Sequence, residues 1–314
     1  MNESMEDREL IALRCFQSIV RGTHHKAHNG GFRSGAEAAE RNRIGVVFVN
    51  SGFLPRSATG DSAVYWATSF AESGYPSFRL DLPALGDSDG YIPPDLYEFV
   101  NAGGYAPVLC AAVNKLVERY GLQGVVLAGH CAGAVTALYA AAASGNCKGL
   151  VLMDPYFFLP QRQISAVRQM LRDWAAGSTL GGIISDIYDR LRAVRLLLRG
   201  RMLPENANRL LLSRWRQLVS AGMPILILKA PGLKATAFKP RTGEFDYLSY
   251  VQRLAGHKSR VTVEFVEATD HSFANRAGRS AVRQHAETWL NAWFPLTDCQ
   301  VGAAQTELAR PAGA

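Results

Sequence analysis

The sequence has no run of eighteen or more apolar residues, so no transmembrane helix is expected. Its opening residues, MNESMEDREL, lack the basic stretch followed by an apolar one that marks a signal peptide. No Cys/His cluster has zinc-ligand spacing, so no metal site is expected. There is no P-loop, and the glycine pairs Gly103-Gly104 and Gly181-Gly182 lie outside any strand–GxGxxG–helix context. No cofactor is implied. Internal repeats and low-complexity tracts are also missing. The five cysteines (Cys15, Cys110, Cys131, Cys147, Cys299) are odd in number and unpaired by any short spacing. That pattern fits free thiols in a reducing compartment, and a cytoplasmic location is expected.

Lysine is absent between Pro155 and Ala221, where eleven arginines face four acids. That segment carries +7, the formal net charge of the whole chain, so the remainder is close to neutral. A solvated helical face accounts for such a patch most simply; an acidic partner is the alternative. Nucleic acid is not expected, because the basic excess is confined to one insert without a recognisable motif.

What is present is a globular composition, 48% hydrophobic and 19% charged over 314 residues. An α/β core carrying an inserted lid reaches that length as a single unit. Short apolar runs rich in β-branched residues predict buried strands at 44–49, 76–81, 124–129, 149–154, 224–230 and 261–267. Helical spacing predicts helices at 62–73, 96–120, 132–143, 247–254 and 277–293. The alternation implies a mostly parallel sheet flanked by helices. Residues 155–221 hold no strand candidate and read as a helical lid insertion between core segments 44–154 and 222–294. The segment 1–43 reads as partly disordered or edge structure, with Glu9–Val20 a helix or part of an edge hairpin. The tail 295–314 reads as disordered.

The strand GVVLAG leads directly into Gly129-His130-Cys131-Ala132-Gly133 and then a helix. A sharp strand-to-helix turn with a small residue two before and two after its apex is what a nucleophile elbow requires. The apex here is a cysteine. The helix N-terminus behind it favours negative charge on the sulfur.

With GHCAG at the elbow, LDLPALGDSDG (80–90) after the preceding strand and TDHSF (269–273) after the last one, the chain resembles the α/β-hydrolase superfamily from Ile44 to Trp293. NSGFLPRS and VLMDPYFF add a likeness to a bacterial branch with cysteine elbows. Dienelactone hydrolases and some biosynthetic thioesterases also place cysteine at this position. The resemblance implies an α/β-hydrolase fold with Cys131 as nucleophile and His271, in the loop after the last strand, as general base. It offers two positions for the acid: Asp154 at the end of the strand after the elbow, as in biosynthetic thioesterases, or Glu244 or Asp246 after strand 224–230. The oxyanion hole would use backbone N–H groups of Ala132 and of Gly52 or Phe53. Tyr156, Phe157 and His130 are candidates for substrate contact.

The implied activity is acyl transfer through a thioacyl-enzyme, as a thioesterase or as an acyltransferase or cyclase in specialised-metabolite biosynthesis. The substrate would be an acyl thioester or ester, and an acyl carrier protein could dock on the arginine-rich lid. Two other readings stay open: a small ester or lactone hydrolase of the dienelactone-hydrolase kind, and an inactive hydrolase fold used for binding.

Overall fold

The computed structural model describes residues 7–27, 43–50, 52–159, 203–204, 206–231, 245–256, 259–267 and 269–296. The expected lid arginines from Arg162 to Arg201 and the tail from residue 297 lie outside them. Chain order runs β1 (Arg8–Cys15), β2 (Ser18–His25), β3 (Ile44–Val49), α1 (Ser62–Glu72), β4 (Ser77–Asp81), α2 (Leu96–Asn101), α3 (Ala106–Tyr120), β5 (Gly124–His130), α4 (Ala132–Ala143) and β6 (Cys147–Met153). It continues with α5 (Arg209–Ser220), β7 (Ile225–Lys229), α6 (Tyr247–Ala255), β8 (Val261–Phe265) and α7 (Arg276–Trp293).

The eight strands form one sheet in the order β1-β2-β4-β3-β5-β6-β7-β8. Every residue of β3, β4 and β5 is buried, as expected of strands covered on both faces. Pairing is parallel from β4 through β8; only β1 with β2 and β2 with β4 are antiparallel. One apolar layer packs α1 and α7 on the sheet through Trp66, Phe70, Trp289 and Leu290. The other packs α3, α4 and α5 through Leu109, Leu116, Leu138 and Trp215.

The single helix expected over 96–120 is two helices. Gly103 takes φ 79° between them, and a Cβ there would lie 3.0 Å from the Tyr139 ring. The glycine pair breaks the helix so that α4 can approach closely. Residues 9–20 form the edge hairpin, not a helix. Ile11, Leu13 and Cys15 alternate inward while Leu10 is 78% exposed.

The hairpin is tied to the sheet by polar contacts. Arg79 Nε donates to His25 Nε2 at 2.9 Å, which leaves the ring proton on Nδ1, 3.3 Å from Thr68 Oγ1. Burial, then the charges of Arg79 and Arg8, push His25 down to about 3 from 6.5. The folded value lies below the unfolded one, so this stabilisation is complete above about pH 6.5 and is lost as pH falls toward 3. On the order of 4 kcal/mol is at stake. Urea midpoints are expected to fall over that window in the native protein and to fall less in His25→Gln, which keeps an acceptor for Arg79. Parallel curves for the two proteins would refute this account.

The ends of the insertion meet at a neck. Phe158 bridges Ala207, Leu159 N donates to Asn206 O at 2.6 Å, and Asn208 N donates to Phe157 O at 2.9 Å. Beneath the neck, Phe157 packs edge-on to Trp215, whose Nε1 donates to Val251 O at 3.1 Å.

Candidate active site

The elbow follows from steric limits. Strand β5 ends at His130, α4 begins at Ala132, and Cys131 between them takes φ 52°, ψ −115°. A Cβ on Gly129 would lie 2.6 Å from Ala134 N, and one on Gly133 would lie 2.8 Å from Val49 O. Only glycine fits either position. Holding a cysteine at positive φ costs about 1–3 kcal/mol. Cys131 N donating to Met153 O at 2.9 Å helps fix the turn against β6.

Two further strand ends converge beside Cys131. Asp154 follows β6 at φ 50°, 7% exposed, with its N–H on Leu228 O at 2.8 Å. His271 follows β8 in a turn tied by Asp270, whose Oδ1 accepts from Ser272 N at 2.9 Å and Ser272 Oγ at 2.5 Å. Phe273, fully buried, anchors the other side of that turn. His271 Nδ1 hydrogen-bonds Asp154 Oδ2, and the same imidazole lies close enough to Cys131 to interact with it. The hydrogen bond to Asp154, then the nearby Cys131, outweigh burial and raise His271 to about 10. Burial alone would raise Asp154, but the hydrogen bond from His271 and the charge of Lys229 prevail and hold it below the usual carboxylate range.

The other two acid candidates stand apart from this line. Asp246 caps α6, accepting from Ser249 N at 2.9 Å and Ser249 Oγ at 2.5 Å. Glu244 lies outside the described residues.

The first N–H groups of α4 have no intrahelical acceptor, which leaves Ala132 N beside the sulfur. The opposite wall is the turn after β3, where Gly52 takes φ 57° and Phe53 is 57% exposed. Asn50 shapes that turn: its Nδ2 donates to Leu54 O and to Asp81 Oδ1, both at 2.9 Å, and its Oδ1 accepts from Leu82 N at 2.7 Å. Asp81 also accepts from Arg56 N at 2.7 Å, Arg56 Nη1 at 2.5 Å and Asp87 N at 3.1 Å.

A family described as alpha/beta hydrolase fold matches residues 46–239. The chain belongs to that family. No curated protein matches the sequence. Among solved structures it is similar to an esterase of Pyrococcus furiosus, with 14% identity, 91% of each chain covered and a TM-score of 0.57. It is also similar to an α/β serine hydrolase without a lid from Xanthomonas campestris, with 12% identity, 93% of this chain and 97% of that one covered and a TM-score of 0.54. At these identities the likeness is one of fold.

In this α/β hydrolase the remaining sequence candidates take different places. His130 is 9% exposed, and its Nε2–H donates to the His271 carbonyl at 2.6 Å. Burial, then the charge of His271, lower it to about 4, so the ring is neutral and braces the loop that carries His271. Tyr156 is half-buried with its hydroxyl 3.5 Å from Asn101 Nδ2; burial, then the charge of Cys131, push it up to about 12. Phe157, expected to contact substrate, is a core side chain, 1% exposed under the neck. Its apolar ring is taken up by Trp215. Sequence reasoning missed Lys229, whose Nζ donates to Asp154 Oδ1. The signal was a charged residue closing the apolar run ILILK. It also missed Asp81 and Arg56 as supports of the Gly52 turn. Among the described residues no helix is long and apolar enough to cross a membrane, and no group of His, Cys, Asp and Glu could hold a metal.

Proposed function

We propose that this α/β hydrolase is a cysteine-dependent acyl-transfer enzyme acting on thioesters or esters. The observation that carries the reading is the placing of His271 between Cys131, at the elbow, and Asp154, to which it is hydrogen-bonded. Cys131 Sγ attacks the acyl carbon, and the carbonyl electron pair moves onto oxygen. The N–H of Ala132 and that of Gly52 or Phe53 hold this oxyanion; each such donor is worth about 3 kcal/mol in the transition state. When the oxyanion collapses, the bond to the leaving oxygen or sulfur breaks, and His271 supplies the proton it takes. Water, an amine or a hydroxyl then attacks the thioacyl-enzyme. Its proton passes to His271, and Cys131 departs as thiolate. An imidazole that keeps its proton to about pH 10 suits a sulfur nucleophile, because it need not first deprotonate an alcohol.

Tyr156 stands at the mouth of the insertion and is assigned to the acyl group. The positive segment 155–221 supports an acidic acyl carrier protein as the donor. The odd number and scattered spacing of the cysteines support a reducing, cytoplasmic compartment.

The test is intact mass after incubation with acyl thioesters, free and carrier-borne, and with simple esters. An acyl adduct is expected on the native protein, absent from Cys131→Ala, and accumulating at least about 100-fold more slowly in His271→Ala. No adduct and no turnover with any donor would instead indicate a hydrolase fold used for binding.

A further inference from the structure

We propose that Lys229 is a positioning residue of the acyl-transfer site, holding Asp154 in the one orientation that serves His271. The inference rests on the cysteine-dependent reading above.

The sheet register makes the pair. In β6–β7, Met153 lies opposite Leu228, so the next residues, Asp154 and Lys229, emerge side by side at the same edge. Backbone contacts fix both. Asp154 N donates to Leu228 O at 2.8 Å, and Lys229 O accepts from Val266 N at 2.9 Å. Lys229 therefore sits between the strand that carries the acid and the strand that leads to the base. The two carboxylate oxygens are divided between two partners, Oδ1 with Lys229 Nζ and Oδ2 with His271 Nδ1. The Asp154 side chain is 6% exposed, so solvent has little access to either oxygen.

A buried carboxylate with one unserved oxygen is costly, and it responds either by rotating or by taking up a proton. Either response weakens the bond to His271 Nδ1. Lysine is suited to prevent both. It donates only, so it cannot accept the His271 Nδ1–H in place of the carboxylate, and its positive charge keeps the carboxylate ionised. Its side chain is 29% exposed, so its own charge stays partly solvated. Strand β7 thus contributes a cation that anchors the acid supplied by its neighbour.

The readout is the rate at which iodoacetamide alkylates Cys131, followed by peptide mass across pH 5 to 9 on the full chain. Alkylation reports thiolate and needs no knowledge of the substrate. Lys229→Met is expected to slow alkylation near pH 7 by about tenfold and to move its midpoint up by about one unit. Lys229→Arg, which keeps the charge and donors, is expected to stay within about threefold of the native rate. In an Asp154→Asn background, Lys229→Met is expected to add less than about twofold, because the lysine acts through the carboxylate. Melting temperatures are taken alongside, and Lys229→Gln replaces Lys229→Met if the latter does not fold.

A native rate from Lys229→Met overturns the proposal. So does an undiminished tenfold loss in the Asp154→Asn background, since Lys229 would then act on the sulfur directly. If His271→Ala alkylates as fast as the native protein, the cysteine–histidine reading falls and takes this one with it. If only the lysine variants are silent, that reading stands and the role of Lys229 alone is refuted.

Discussion

Asp154→Asn is expected to lower kcat/KM for the best acyl donor by about 10⁴-fold, the scale seen when a triad acid is made neutral in a serine protease. The surroundings of Asp154 make this change unusually damaging for one so nearly isosteric. Lys229 Nζ can only donate, so the asparagine carbonyl turns toward it. The amide NH2 is then forced toward His271 Nδ1, where it too donates. The imidazole must accept on Nδ1 and carry its proton on Nε2, the wrong tautomer for taking a proton from an incoming nucleophile. Steady-state turnover of the donor identified by intact mass checks the result. The matched control is Asp246→Asn, which loses only part of the cap of α6, worth about 1 kcal/mol of stability. It should leave turnover within about threefold. A loss below tenfold for Asp154→Asn would move the acid to the segment after β7.

Asp81→Ala is expected to cost about 3–5 kcal/mol of stability. Asp81 is fully buried and accepts from Asn50, from the Arg56 backbone and guanidinium, and from Asp87 N. Truncation leaves the Arg56 guanidinium with the exposed Asp87, at 2.6 Å, and the Thr23 hydroxyl, at 3.1 Å. At about 2–4 °C per kcal/mol for a chain of this size class, the melting temperature should fall by roughly 10 °C. The same network shapes the Gly52 turn, so acyl transfer should weaken beyond what the unfolded fraction explains. Thermal unfolding by circular dichroism, with activity measured well below the transition, separates the two effects. A loss under about 1 kcal/mol would show that the network is dispensable.

Much of this was legible in the sequence, for identifiable reasons. Strands β3, β5 and β7 are buried over nearly their whole length, so their sequences carry short apolar runs. The elbow was legible because two close backbone approaches restrict Gly129 and Gly133 to glycine. The edge hairpin was ambiguous because exposed Leu10 beside buried Ile11 and Leu13 imitates a helical stripe. The break at Gly103 depends on the distant Tyr139 ring, which no local pattern reveals. The choice among acids left open by the sequence involves cross-strand geometry: Asp154 faces His271 across the sheet edge, while Asp246 closes a helix. Lys229 escaped notice because its partner lies 75 positions away in sequence.

The neck joining residues 157–159 to 206–208 has an engineering consequence. The chain leaves and re-enters the core at one closed point, and the aspartate and lysine below it belong to strands already paired with each other. The intervening stretch can therefore be treated as a cassette. Halving or doubling its length changes the closure entropy by only about 0.6 kcal/mol. Chimeras spliced at Leu159 and Asn206 would keep the sulfur, imidazole and carboxylate in register while exchanging the whole intervening segment.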